Sequence, residues 1–162
     1  MNESSKNWYA LKIFTDRSFI LRYFDSKDIE VYIPVLNGQY ALGSIIFILC
    51  TEEQILKAKT DWFHSIMVYR DMETNKPQAI PIAEMDNFKM VMNIRNQEFQ
   101  AIELTDTKLT EGQKVRVLDG PLKGIVGVIK RIKGDRRLVV SVSGVAAVAT
   151  VFVHPDYLEK VD

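Results

Sequence analysis

The stretch QKVRVLDGPLKGIVGVIKRI, residues 113–132, sets two runs of alternating valine and isoleucine around a turn that holds Pro121 and is framed by Gly120, Gly124 and Gly127. Glycines so placed have two readings. They can cradle a phosphate, or they can let a small sheet curl tightly, because glycine takes positive φ at little cost. A Walker loop ends in Gly-Lys-Ser/Thr and leads into a helix, whereas β-branched residues follow here, and the spacing is not that of a dinucleotide fold. The glycines therefore read as the bends of a small β-barrel.

The residues downstream extend that reading. "DRRLVVSVS" (135–143) and "VATVFV" (148–153) add two more short β runs, separated by Gly134-Asp135 and Gly144, before the chain closes on "HPDYLEKV". "GVAAVATV" (144–151) is rich enough in alanine to suit a helix, but its valines favour a strand. Some fifty residues of short strands and glycine turns predict a barrel over 110–162.

Upstream the grammar differs. "WYALKIF" (Trp8–Phe14) alternates as a strand, and "TDRSFILRYFDSKD" follows with Phe19, Ile20, Tyr23 and Phe24 at helical spacing behind Thr15 or Asp16 as N-cap. "IEVYIPV" (Ile29–Val35), a turn at Asn37-Gly38 and the apolar "GSIIFILC" form a hairpin that contains a central strand. Thr51 and Gln54 have the spacing of a capping box for a second helix, and "SIMVYRD" (Ser65–Asp71) reads as a fourth strand. Pro81 opens a third helix with Met85, Phe88 and Met92 on one side, a stripe that suits core. Residues 96–109 are polar and aperiodic and read as a linker. The fold class is α+β: an N-terminal sheet of about four antiparallel strands with helices over 7–95, then the barrel.

Composition limits the functions open to such a chain. Its 162 residues are 47% hydrophobic and 26% charged, values of a folded protein. The longest apolar run, Ile45–Cys50, is far shorter than the roughly 20 residues of a membrane helix, and "MNESSKNWYA" lacks a signal-peptide pattern, so a cytoplasmic protein without a membrane partner is expected. The lone Cys50 lies in that run and reads as a buried thiol. Net charge is zero overall, but −3 over 1–109 and +3 over 110–162, so the basic end suits either nucleic acid or plain solvation. His64 and His154 stand apart, no HExxH, CxxC or GxSxG occurs, and Asp25, Asp28 and Glu30 sit at a helix end. Neither an enzyme nor a cofactor is expected.

Taken in order, these motifs resemble a known family. "QKVRVLDGPLKGIVGVIKRI" with "RLVVSVS" resembles the KOW motif of bacterial NusG, and "NWYALKIF", its helix, "EVYIPV" and the Pro-Ile helix start resemble the NusG N-terminal (NGN) domain. The likeness covers nearly the whole chain and suggests a specialised paralogue similar to the RfaH and UpxY antiterminators. It implies a transcription elongation factor that acts as a monomer. Its NGN domain would dock on the clamp helices of the RNA polymerase β′ subunit and reach toward the β subunit, and its SH3-like KOW barrel would engage Rho or a ribosomal protein. Carried over by position, the polymerase-facing patch is Tyr40, Ala41, Leu42 and Ser44, with Phe14 as a substitute anchor. The family's usual aromatic-Pro-Gly-Tyr lacks its proline and following tyrosine here. The barrel's partner contacts map to Leu122, Ile125, Val145 and Ala147, with barrel filling the alternative for the first two. Lys123, Lys130, Arg131, Arg136 and Arg137 are placed to track phosphates, or to line a solvated turn. A KOW-containing RNA-binding protein at the ribosome is the competing function.

Overall fold

The computed structural model describes residues 5–36, 38–93, 100–103, 112–132, 135–149 and 155–161. The chain divides into two compact units, residues 1–82 and 83–162.

In the first unit, β1 (Asn7–Ile13), β2 (Glu30–Tyr32), β5 (Ile45–Cys50) and β6 (Ile66–Val68) form a sheet in the order β2-β5-β1-β6. All its pairings are antiparallel, with Lys12 opposite both Ile45 and Met67. The expected hairpin forms, with Glu30 opposite Leu49 and Tyr32 opposite Phe47. Pro34, which has no N–H to give a ladder, ends β2. A two-rung ladder of β3 (Val35–Leu36) and β4 (Gln39–Tyr40) carries the turn, in which Gly38 has φ +75° and Asn37 lies outside the described residues.

Two helices cover one face of this sheet. Asp16 caps α1 (Arg17–Ser26), accepting from the Ser18 amide, and α2 (Glu52–Asp61) has the full Thr51–Gln54 capping box. Ile20 and Phe24 from α1 and Ile55 and Ala58 from α2 meet Leu11, Ile46 and Ile48 of the sheet in one core. Phe19 and Tyr23, expected on the buried face of α1, behave differently. Each precedes a core residue by one position, about 100° around the helix, so Phe19 is exposed and Tyr23 is half-buried against Trp62. Alternate residues Trp8, Ala10, Ile45 and Phe47 point to the opposite face and are buried as well.

The second unit contains α3 from Ala83 onward (the helix runs Ile82–Met92) and a six-stranded antiparallel sheet. Its strands are β7 (Gln100–Glu103), β8 (Gln113–Val117), β9 (Val126–Ile132), β10 (Asp135–Val142), β11 (Ala146–Ala149) and β12 (Leu158–Lys160). The order is β12-β8-β9-β10-β11-β7. Met85, Phe88, Val91 and Met92 of α3 are buried, as their stripe predicts. Glu84 accepts hydrogen bonds from the Ser143 amide and, at 2.8 Å, from its hydroxyl, which ties α3 to the β10–β11 turn.

Two strands exceed the four runs read from the sequence. Inside the stretch expected to be a linker, Gln100–Glu103 pairs with β11, Ile102 opposite Ala147; 96–99 and 104–109 lie outside the described residues. β11 is a strand despite its alanines because β10 and β7 flank it on both sides. The run expected over 148–153 is described only to Ala149. Gly127 explains the tight approach of β9 and β10: a Cβ there would lie 2.5 Å from the Val139 carbonyl oxygen. Gly120 and Gly124 have φ of +86° and +91°, and the amides of Gly120, Lys123 and Gly124 are all engaged within the turn. That leaves bending, and not phosphate binding, as their work.

Candidate functional site

The C-terminal end of β1 gathers the candidate patch. Ile13 donates to the Ser44 carbonyl at 3.0 Å and Phe14 donates to the Ser65 carbonyl at 2.8 Å, so Phe14 stands between the turn after β4 and the turn after α2. Its side chain is 61% exposed. One turn of chain later, the Ser18 amide and hydroxyl both donate to the Asp16 carboxylate, and this holds its carboxyl below the usual range.

That cap aims Arg17 across the 40–44 turn. Arg17 Nη2 donates to the Gly43 carbonyl at 2.8 Å, and the guanidinium lies over the Tyr40 ring, 3.6 Å from its centroid. Nη1 is buried and has no hydrogen-bond acceptor among the described residues, which leaves the π face of the ring beneath it. Tyr40 is still 55% exposed, while Leu42 is buried and pins the turn. Ala41 and Ser44 are half-buried; the Ala41 amide donates to Pro34 and the Ser44 carbonyl serves β1. Of the expected patch, then, Phe14 and Tyr40 present side chains to solvent and Leu42 shapes the surface from below.

The structure adds two aromatic side chains that motif reading missed. Phe63, 69% exposed, shares a groove with Phe14, and Phe19 is exposed on the first turn of α1. Arg17 was missed too, because its partners lie 23 and 26 residues away and nothing local marks them.

In the second unit Leu122, Ile125, Val145 and Ala147 are all buried, so they fill the interior and present no surface in this conformation. Lys123 and Arg131 are exposed and Lys130 and Arg137 half-buried. The β9–β10 register sets Lys130 opposite Arg137 and Arg131 opposite Arg136; the Arg136 side chain lies outside the described residues.

Burial pushes the Cys50 thiol up to about 12, and no three His, Cys, Asp or Glu side chains converge as metal ligands among the described residues. No described helix is long and apolar enough to cross a membrane. The exposed aromatic side chains with a guanidinium across them suit protein recognition, where aromatic and arginine anchors carry most of the binding energy.

Comparison with protein-family models and with curated proteins finds no match. By architecture the described residues form a mixed α/β protein, with three α-helices and antiparallel sheets. More particularly, the fold is NusG-like: a solved structure of Thermotoga maritima NusG, concerned with domain interaction in that protein, is similar over 98% of both chains with a TM-score of 0.50 at 16% identity.

Proposed function

We propose that the chain is a transcription elongation factor of NusG type that binds RNA polymerase and modulates pausing and termination, acting as an operon-specific antiterminator. In this reading residues 7–95 are the polymerase-binding NGN module and 110–162 the KOW module. The reading rests on the NusG-like fold across nearly the whole chain, and the observation that carries it to a surface is the exposed pair Phe14 and Tyr40 beside Arg17. Docking there on an apolar helical partner such as the β′ clamp helices, with reach toward the β subunit, favours the elongating conformation by differential binding, without turnover or cofactor.

The test is co-elution of the full chain with core RNA polymerase from its own source, followed by pausing on a defined template. Wild type is expected to co-elute and shorten pauses, and Phe14→Ala/Tyr40→Ala to lose both effects. Leu42 is left intact because its truncation would disturb the turn itself. Absence of wild-type binding refutes the proposal.

The paired cations of β9 and β10 favour a second reading, RNA binding at the ribosome through Lys123, Lys130, Arg131, Arg136 and Arg137. It calls for affinity for ribosomal RNA that falls steeply with salt; salt-independent or absent binding rejects it.

A further inference from the structure

β6 lies at the edge of its sheet, with β1 on one side only. The bonds Phe14 N–H to Ser65 O, 2.8 Å, and Tyr69 N–H to Ala10 O, 3.0 Å, fix which rungs of the β1–β6 ladder are hydrogen-bonded. By alternation the rung between them is Lys12 with Met67, and Ile66 and Val68 turn their peptide groups away from β1. Trp62 O takes the Ile66 N–H at 3.2 Å. The Ile66 carbonyl and both peptide groups of Val68 have no partner among the described residues. A row of such groups is a template for another strand.

A groove of about 580 Å³ runs beside this edge, lined by the five consecutive residues 66–70. Phe63, Met67 and Met72 give it apolar walls, and Met72 is 90% exposed. Lys59, His64 and Arg70 line it as well, Arg70 braced by a 2.7 Å bond to Asn75 Oδ1, and none of its described lining residues is acidic. A second copy of this chain, paired edge to edge, would bring the Lys59 and Arg70 pair against its own image. An acidic segment meets it with opposite charge.

We infer that the free edge of β6 takes up an extended, acidic segment of a partner protein as an added strand. Main-chain bonds to Ile66 and Val68 supply the pairing. Alternate side chains of the segment set carboxylates toward Lys59 and Arg70 and apolar groups toward Phe63, Met67 and Met72. The groove adjoins the surface proposed for polymerase docking and shares Phe14 and Phe63 with it, so the test leaves both unchanged.

The probe is a synthetic peptide alternating acidic and aliphatic residues, Ac-EVDIEVD-NH2, titrated into the isotope-labelled full chain and followed by amide NMR. Expected are shifts confined to residues 66–70 and their groove, and exchange of the Val68 amide slowed about tenfold or more at saturation. N-methylation of alternate peptide amides should abolish binding, a control on the ligand that cannot unfold the protein. Charge reversal at two exposed positions, Lys59→Glu/Arg70→Glu, should weaken binding about tenfold at low salt, while Tyr40→Ala should not change it. No shift at millimolar peptide, or binding indifferent to N-methylation, overturns the inference. So does concentration-dependent protection of Val68 without peptide, which would give the edge to a second copy.

Discussion

Arg17 and Tyr40 should be energetically coupled, and a double-mutant cycle measures by how much. Replacing Arg17 with alanine removes two things: the 2.8 Å bond to the Gly43 carbonyl and the cation 3.6 Å above the Tyr40 ring. The first is worth about 0.5–1.5 kcal/mol for a hydrogen bond of this kind, and the second about 0.5–1 kcal/mol at an exposed site. Tyr40→Ala removes the second and the packing of a ring that is already more than half exposed, together about 1 kcal/mol. The double variant should therefore fall short of the sum of the singles by about 0.5–1 kcal/mol. Tyr40→Phe keeps the π face and should keep the coupling. Urea unfolding followed by tryptophan fluorescence is the assay, because both tryptophans, Trp8 and Trp62, belong to the first unit and report on it alone. Additivity within about 0.3 kcal/mol would show that the guanidinium does not sit on the ring, and would remove Arg17 from the account of the surface.

Gly127→Ala should destabilise the second unit by about 1–3 kcal/mol, since the new methyl meets the Val139 carbonyl at 2.5 Å; a change below about 0.5 kcal/mol in urea unfolding followed by amide NMR of the strands would refute this. Thr51→Ala breaks the capping box of α2 and should cost about 1 kcal/mol, read by tryptophan fluorescence, with an unchanged midpoint counting against it. Cys50 should resist alkylation in the native state. Burial pushes its folded thiol up from the ordinary 9.0 to about 12, so its contribution is complete below about pH 9 and is lost as pH rises through the folded value. The stability–pH slope should differ between wild type and Cys50→Ala by about 1.4 kcal/mol per pH unit in that window; identical slopes would refute it. Bonds from the Tyr23 hydroxyl and then from Lys57 hold the Asp61 carboxyl below its ordinary value. Its stabilisation is complete above the unfolded value and fades as pH falls through the folded one, so Asp61→Asn should flatten the acid limb of an unfolding titration, and an unchanged limb would remove this pair from the acid response.

What was legible in the sequence was what neighbours in sequence decide. Alternation marked β1, a continuous apolar run marked β5, Thr51 and Gln54 announced α2, and the turn glycines marked the bends of the second sheet, because each signal lies within a few residues of its effect. β7 had no such signal. Its four residues, QAIE, become a strand only because β11, more than forty positions later, offers an edge. Tyr40 and Phe14, singled out by position, are both exposed, but the contact of Arg17 with Tyr40 was not legible, since it joins the start of a helix to the end of β4, 23 positions later. Leu122, Ile125, Val145 and Ala147 show the converse limit: an apolar side chain reads alike whether it fills an interior or meets a partner, and only solvent access separates the two. β6 was read as a strand, but which of its peptide groups face outward follows from the ladder alone.

The two units also differ in when they can be finished on the ribosome. Every described strand pairing of the first sheet closes within the first 80 residues, the last being the bridge of Trp8 to Ile80. The second sheet waits for its final strand, since β8 finds its outer neighbour only at Leu158–Lys160. At translation rates of about 5–20 residues per second, the remaining half of the chain takes roughly 4–16 s to emerge. For that interval the nascent protein carries a completed N-terminal sheet, with its aromatic end assembled, ahead of an unfinished C-terminal one. A partner of Tyr40 and Phe14 can therefore engage the nascent chain some seconds earlier than a partner of the C-terminal sheet.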